Sequence, residues 1–302
     1  MDITFLGTAG MVPTKHRNVQ GIYIDYNGEG ILLDCGEGTQ RQITMAGLNA
    51  QKIKKILSSH WHGDHVSGLV GIIQTLGNFA AEGKKITIFG PIGTKKHLHH
   101  LMNSCIFETR LEIEVIELDP KGLETFYENT EYALQVAPLD HSVPCLGYRF
   151  EKKERRKILS KKLSALGLEA GPLVGDLKEG KEVLFEGKTI HPDDVSLIEP
   201  SRSLAFIFDT KVCDACYDLA DNAEVLVSEA MFLDELEHKA EETKHLTAKQ
   251  VAQIASQSGV QQLILTHFSQ RYKDVGVLEE DAKKIFENVL CAYDFMKYKL
   301  SF

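Results

Sequence analysis

Seven residues, Ser59-His60-Trp61-His62-Gly63-Asp64-His65, bring three imidazoles and one carboxylate together in an H-x-H-x-D-H run. The apolar stretch Ile53–Leu57 precedes it directly, so the run stands at the end of a strand. His60 and His62 lie two apart and can offer their rings to one metal ion. Gly63 lets the chain turn, so that Asp64 and His65 can face a second ion. Imidazole with carboxylate suits Zn²⁺, with Mn²⁺ or Fe²⁺ as alternatives. No H-E-x-x-H is present, which sets aside a helix-borne single-zinc protease site. A dinuclear centre needs further donors. Asp140-His141, Asp209-Thr210 and Thr266-His267 each follow a strand-like stretch, and donors at the ends of separate strands can gather at one edge of a sheet.

Strands are expected at 3–6, 21–26, 31–34, 55–57, 86–89, 111–117, 132–136, 146–150, 204–209, 224–228 and 261–266, with Asn27-Gly28-Glu29-Gly30 turning the first hairpin. Helices are expected at 39–46, 68–82, 94–103, 247–257 and 278–290, the fourth opened by a Thr247/Gln250 capping box. Early strands are joined by hairpins and later ones by helices. That order predicts an α/β fold of mixed sheets covered by helices. One segment breaks the composition: residues 151–162, EKKERRKILSKK, hold seven basic and two acidic side chains, a local charge of +5. Gly167-Leu168-Glu169-Ala170-Gly171-Pro172 follows as a turn signal. Residues 151–198 are read as a basic excursion from a single domain spanning 1–302.

With 302 residues, 43% hydrophobic and 25% charged, the chain can bury a core without disulfide staples. Disordered and collagen-like classes are excluded. The net charge of −9 argues against a surface coated in nucleic-acid-binding charge and leaves room for one basic patch. The start MDITFLGTAG has neither a basic segment nor a long apolar run, and residues 66–81 are too short and polar to span a bilayer. No membrane partner is expected, and six cysteines read as reduced thiols of a cytoplasmic protein. Cys213-Asp214-Ala215-Cys216 lacks the second pair that a zinc ribbon needs and is read as incidental. His97, His99 and His100 sit among lysines on an expected helix and read as surface residues. Gly36-Glu37-Gly38 has no third glycine and no GK[ST], so it is not a phosphate loop.

The metal-ligand run resembles that of the metallo-β-lactamase superfamily, whose fold is an αββα sandwich with a two-zinc site along one edge. Three flanking features narrow the resemblance. Phe5-Leu6-Gly7-Thr8 with Pro13-Thr14-Lys15-His16-Arg17-Asn18 resembles a P-x-K-x-R-N loop. Leu33-Asp34-Cys35-Gly36-Glu37-Gly38-Thr39-Gln40 resembles the first motif, and Gly171-Pro172-Leu173 within the basic excursion resembles a flexible arm. Together they are similar to the short form of the ribonuclease Z family, endonucleases that process tRNA 3′ ends, from Ile3 to about Tyr272.

The resemblance implies two Zn²⁺ per subunit. His60, His62 and His141 would hold one, Asp64, His65 and His267 the other, with Asp209 bridging. Two cations about 3.5–4 Å apart can share a hydroxide and clamp a phosphodiester in line. Asp64 would orient or deprotonate the attacking water, and Asp34 would hold ligands in place from behind. Lys244-His245-Leu246-Thr247 resembles an H-S-T segment whose His is the general acid. Ser228-Glu229-Ala230-Met231-Phe232 resembles an H-E-A-T segment whose Glu orients it. The chain departs from these patterns at Ser228, Met231 and Leu246, while His245 and Glu229 remain. Lys152, Lys153, Arg155, Arg156, Lys157, Lys161 and Lys162 of the arm would grip tRNA phosphates, with Lys15, Arg17 and Asn18 near the acceptor end. The family also implies a homodimer in which each arm serves the other subunit's precursor tRNA. The competing readings are a small-molecule metallo-hydrolase or cyclic phosphodiesterase of the same superfamily, which needs neither arm nor loop, and a catalytically dead RNA-binding scaffold, which would have eroded ligands. A long β-CASP insertion has no room in this length.

Overall fold

The computed structural model describes residues 1–79 and 83–300. In chain order, β1 (Asp2–Gly7), β2 (Gly21–Tyr26), β3 (Glu29–Leu33), β4 (Ile53–Leu57), β5 (Lys85–Pro91) and β6 (Glu112–Leu118) build a first sheet. The chain then crosses to a second sheet with β7 (Glu124–Glu128), β8 (Tyr132–Leu139) and β9 (Cys145–Lys152). An arm carries β10 (Arg155–Ile158), β11 (Val183–Phe185), β12 (Lys188–Ile190) and β13 (Ser196–Glu199). The second sheet resumes with β14 (Arg202–Ile207), β15 (Val225–Glu229), β16 (Gln262–Thr266) and β17 (Val289–Cys291), and β18 (Lys297–Lys299) returns to the first beside β1. Both sheets are mixed. β1, β2 and β3 run antiparallel, and β3 through β6 run parallel. β8, β9 and β14 run antiparallel, and β14 through β17 run parallel.

The two-residue period of the strands sorts their side chains into layers. Leu204 and Phe206 of β14 point into the core between the sheets, with Ile3, Phe5, Ile22, Leu134, Phe150 and Ile264. Ala205 and Ile207 point outward, where they meet Leu219, Val251, Ala252 and Ala255 of covering helices. On the other flank Leu32, Ile56 and Ile88 meet Leu69, Ile72, Ile73 and Leu76 of the helix Leu69–Asn78. The result is a four-layer αββα sandwich of two mixed sheets flanked by helices, with a protruding arm, as the sequence led one to expect. The helix Ala248–Gln257 starts on its capping box: Thr247 Oγ1 accepts from Gln250 N at 3.1 Å, and Gln250 Oε1 accepts from Thr247 N at 3.0 Å.

Two expected elements come out differently. The helix expected at 68–82 is Leu69–Asn78, and residues 80–82 lie outside the described residues. The helix expected at 278–290 is Gly276–Lys283, followed by β17. The exposed parallel edge of β16 captures that last stretch: Leu263 N and Gln262 Nε2 both donate to the Asn288 carbonyl, at 2.9 and 2.7 Å. Unpaired edge groups outweigh the helical spacing of the apolar residues.

The excursion leaves the second sheet after Lys152 and returns at Arg202. It is folded, with its own small core of Leu163, Leu168, Leu177, Val183, Ile190 and Val195. β10 and β13 pair antiparallel at its root. There the Glu199 carboxylate accepts from Lys157 and Arg155 at 2.7 Å and from Lys152 at 3.3 Å. These hydrogen bonds hold Glu199 down at about 2. A depressed carboxyl stabilises fully above its unfolded value near 4.5 and loses that contribution as pH falls toward 2. Glu199→Gln therefore leaves the arm's root looser at neutral pH. Limited proteolysis reads this as faster cutting within residues 153–200, with the difference from wild type vanishing near pH 2.

Candidate metal centre

Each donor named from the sequence stands where a strand stops. Asp34 follows β3, and the H-x-H-x-D-H run follows β4. His141 follows β8, Asp209 follows β14, Glu229 ends β15 and His267 follows β16. These strand ends meet at one edge of the sandwich, around a cavity of about 420 Å³.

Two donor clusters share that edge. In the first, His60 Nε2 and His141 Nε2 lie 3.0 and 3.3 Å from His62 Nδ1. Asp209 Oδ2 lies 3.6 Å from His60 Nε2 and 3.8 Å from His141 Nε2. In the second, His65 Nε2 and His267 Nε2 stand 3.1 Å apart. Asp64 Oδ2 is 3.4 and 3.5 Å from them, and Asp209 Oδ1 is 3.3 Å from each. Four donors around one tetrahedral ion at about 2.0–2.1 Å stand about 3.3 Å from one another. Both clusters have that spacing, and Asp209 gives one oxygen to each.

The electrostatics point the same way. Asp209 is buried, and its Oδ1 has no hydrogen-bond partner among the described residues. Burial opposes its charge, yet His267, His65 and His60 hold the carboxyl well below the usual range. His60 is pushed well down by burial and its imidazole neighbours, so it is neutral, as a ligand must be. His65 is pulled well up despite full burial, because Asp209 and Asp34 both face it. A cage whose buried histidine draws in a proton is short of positive charge. The donor sets fit a divalent cation in each cluster.

The surroundings fix the donors. Asp34 is buried, accepts from Ser59 N at 2.7 Å and Ser59 Oγ at 2.8 Å, and lies 2.8 Å from His65 Nδ1. That leaves His65 Nε2 for the cage. Four of the eight non-glycine residues with positive φ, among the described residues, surround the site: Met11, Asp34, Lys244 and His267. Left-handed backbone at such residues is strained and persists where the surroundings impose it. Asp34 and His267 act through their side chains as described, and the other two act through their backbone. Met11 N donates to Asp64 Oδ2 at 2.7 Å. The Lys244 carbonyl lies 3.1 Å from His141 Nδ1, while Lys244 Nζ holds Asp140 at 2.7 Å. Sequence reasoning missed both, since nothing in residue type announces positive φ. It also missed Thr210, whose N–H donates to Glu229 Oε1 at 2.9 Å.

His245 lies 3.0 and 3.1 Å from the two oxygens of the fully buried Glu229. Burial opposes a charge on His245, but Glu229 overrides it by charge and hydrogen bond, and Asp209 adds to this, raising it to about 9. Of the family departures, Ser228 and Leu246 are buried and Met231 lines the cavity.

The expected RNA contacts are less uniform. Arg17 donates to the carbonyls of Ser269 and Tyr272 at 3.3 and 2.8 Å, and Asn18 to that of Glu37 at 2.7 Å, so both brace the loop. Lys15 is exposed. In the arm, Lys152, Arg155 and Lys157 pair with Glu199, Arg156 with Asp193, and Lys153 with Glu128. Lys161 and Lys162 are exposed on the helix Ser160–Ala165 and make no ion pair among the described residues.

The family model of the anti-Pycsar protein Apyc1 matches residues 1–153, the half that carries Asp34, His60, His62, Asp64, His65 and His141. The ribonuclease Z of Methanosarcina mazei is 36% identical over 99% of this chain and 98% of its own. Human short-form tRNase Z matches in structure with a TM-score of 0.74 at 25% identity, covering both chains completely. The metallo-β-lactamase fold protein YhfI from Bacillus subtilis matches with a TM-score of 0.69 at 17% identity over 98% of each chain, which bears on the fold alone. With identity of this order over 99% of the chain and 98% of that relative, the chain belongs to the ribonuclease Z family.

Proposed function

We propose that the chain is a metal-dependent endoribonuclease that removes the 3′ trailer from precursor tRNA, leaving a 3′-hydroxyl on the tRNA and a 5′-phosphate on the trailer. The observation that carries this reading is Asp209, with one oxygen in each of two His/Asp cages beside the His245–Glu229 pair. His60, His62 and His141 would hold one Zn²⁺, and Asp64, His65 and His267 the other. Bound cations would neutralise the phosphodiester and make water acidic enough to attack near neutral pH. Asp64 orients that water through its carboxylate, itself fixed by Met11 N–H. His245 keeps its proton because of Glu229 and passes it to the departing O3′ of the tRNA. Asp34 and Thr210 hold His65 and Glu229 in register.

Lys161 and Lys162 at the arm and Lys15 at the loop are the cations best placed for tRNA phosphates, while Arg17 and Asn18 shape the loop that presents Lys15. The remaining arm cations, Lys152, Lys153, Arg155, Arg156 and Lys157, add to the field of the patch from their ion pairs. No helix among the described residues is long and apolar enough to cross a membrane; a cytoplasmic location belongs to the proposal. A homodimer would let each arm serve the partner's substrate.

Cleavage of a precursor tRNA with and without chelator, with both product ends identified and bound metal measured by mass spectrometry, tests the reading. Metal-dependent cutting at the acceptor stem supports it. Hydrolysis of a cyclic nucleotide with no cutting of tRNA would move the chain to the small-molecule branch of the fold. Replacing residues 154–200 by a short Gly-Ser linker should weaken tRNA binding at least about tenfold while hydrolysis of bis(p-nitrophenyl) phosphate changes less than about twofold, since phosphate contacts supply affinity and not chemistry. Equal losses on both substrates would make the arm structural.

A further inference from the structure

The C-x-x-C set aside in the sequence takes on a different character in three dimensions. Cys213 Sγ and Cys216 Sγ lie 3.6 Å apart, and both are free thiols. Cys216 is buried against the helix layer, whereas Cys213 is half-buried and lines an open cleft of about 580 Å³ with Lys121, Asp140, Asp214 and Asp218. One sulfur can be reached from solvent and the other only through the first, the division of labour between an attacking and a resolving thiol. The hydrogen bond from Cys216 brings Cys213 down to about 6 against the opposing effect of burial, and Cys216 is pushed well up.

The pair is wired to the metal centre by one residue. Cys213 Sγ lies 3.9 Å from Thr210 Oγ1. The Thr210 hydroxyl donates to Lys211 O at 2.7 Å and accepts from Asp140 N at 3.1 Å, and its backbone N–H supports Glu229. Closing a bond of about 2.05 Å between sulfurs that stand 3.6 Å apart must move at least one of them, and Cys213 is the one 3.9 Å from Thr210 Oγ1. The support under Glu229, and through it His245, then shifts.

We propose that Cys213 and Cys216 are a reversible thiol–disulfide pair that slows the metal centre through Thr210, a regulation that rests on the hydrolytic reading above. The co-reactant is a low-molecular-weight disulfide. Cys213 thiolate attacks one of its sulfurs, forming a mixed disulfide and releasing one thiolate. Cys216 gives up its proton and attacks Cys213 Sγ, closing the ring and releasing the second thiol. Two protein thiols are oxidised and one disulfide is reduced to two thiols. Asp214 and Asp218 give the cleft an acidic lining, so a cationic disulfide reacts faster than an anionic one.

The test uses the metal-loaded protein with the exposed Cys105 replaced by Ser, so that it takes no adduct. Cystamine and oxidised glutathione are compared. Thiols are mapped by alkylation and peptide mass spectrometry, and turnover is followed on bis(p-nitrophenyl) phosphate and on precursor tRNA. The expected result is loss of the 213 and 216 thiols together, faster with cystamine. Turnover falls about tenfold, as when an outer support of a metal site is lost, bound metal stays constant, and dithiothreitol restores activity. Cys216→Ala retains one cystamine half on Cys213, and Cys213→Ala neither pairs nor slows. Thiols that survive, that pair elsewhere, or that pair with no change in turnover on either substrate overturn the proposal. A reduced enzyme that hydrolyses the small diester but leaves tRNA intact would instead refute the tRNA reading, with the thiol pair still judged on the small diester.

Discussion

Asp209→Ala should leave a protein that folds, holds less than its full complement of metal and turns over at least about 10⁴-fold more slowly, a loss of several kcal/mol of transition-state stabilisation. Among the described residues, no other side chain contributes to both cages. Its Oδ2 stands within 3.8 Å of His60 and His141, and its Oδ1 is 3.3 Å from His65 and His267. Removing it deprives each cluster of a donor and of negative charge at once, leaving the histidines to face one another. The fold should survive, because the layers around Leu204, Phe206 and Val251 do not depend on this carboxylate. Metal per chain, circular dichroism and hydrolysis of bis(p-nitrophenyl) phosphate read the three quantities separately. Full metal occupancy in the variant would dismiss the bridging role.

His245→Ala is expected to behave differently: turnover drops about 10²–10⁴-fold, the range for loss of a positioned general acid, and bound metal stays at the wild-type level. The distinction matters because His245 could also be grouped with Asp209 and His267 as a ligand set. Its contact with both Glu229 oxygens argues for the acid. pH separates the two roles further. The folded-state value of about 9 lies above the unfolded value near 6.5. The His245–Glu229 contribution to stability is therefore full below about 6.5 and is lost as pH rises through about 9. Turnover should fall over the same alkaline limb as the proton is lost. Glu229→Gln should move that limb to lower pH, and His245→Ala should remove it. Loss of metal from His245→Ala would make the residue a ligand.

Much of this centre could be read from the sequence because its donors obey a simple rule: they stand where apolar strand stretches end. Asp34, Asp140-His141, Asp209 and His267 all satisfy it, and β-strand periodicity is a local signal. The supporting contacts do not obey any such rule. Met11, Lys244 and Thr210 act through backbone atoms, and backbone atoms carry no residue-type signature. The arm was visible by charge, but its ion pairs were not, since Glu199 and Asp193 lie more than thirty residues from the arginines they meet. The last strand of the second sheet was misread as helix because three residues at an edge owe their conformation to β16 rather than to their own spacing.

Each cage draws on both sheets, and so on chain segments made far apart in time. His65 and His267 are separated by 202 positions, yet their imidazoles are 3.1 Å apart. At a synthesis rate of 5–20 residues per second, roughly 10–40 s pass between the appearance of the first and that of the second. Until Asp209 appears neither cage has its shared carboxylate, and until His267 appears the second also lacks its last imidazole. Metal capture is thus a late event in the life of the molecule, and a ribosome that stalls before Asp209 releases a polypeptide with no nuclease to unleash.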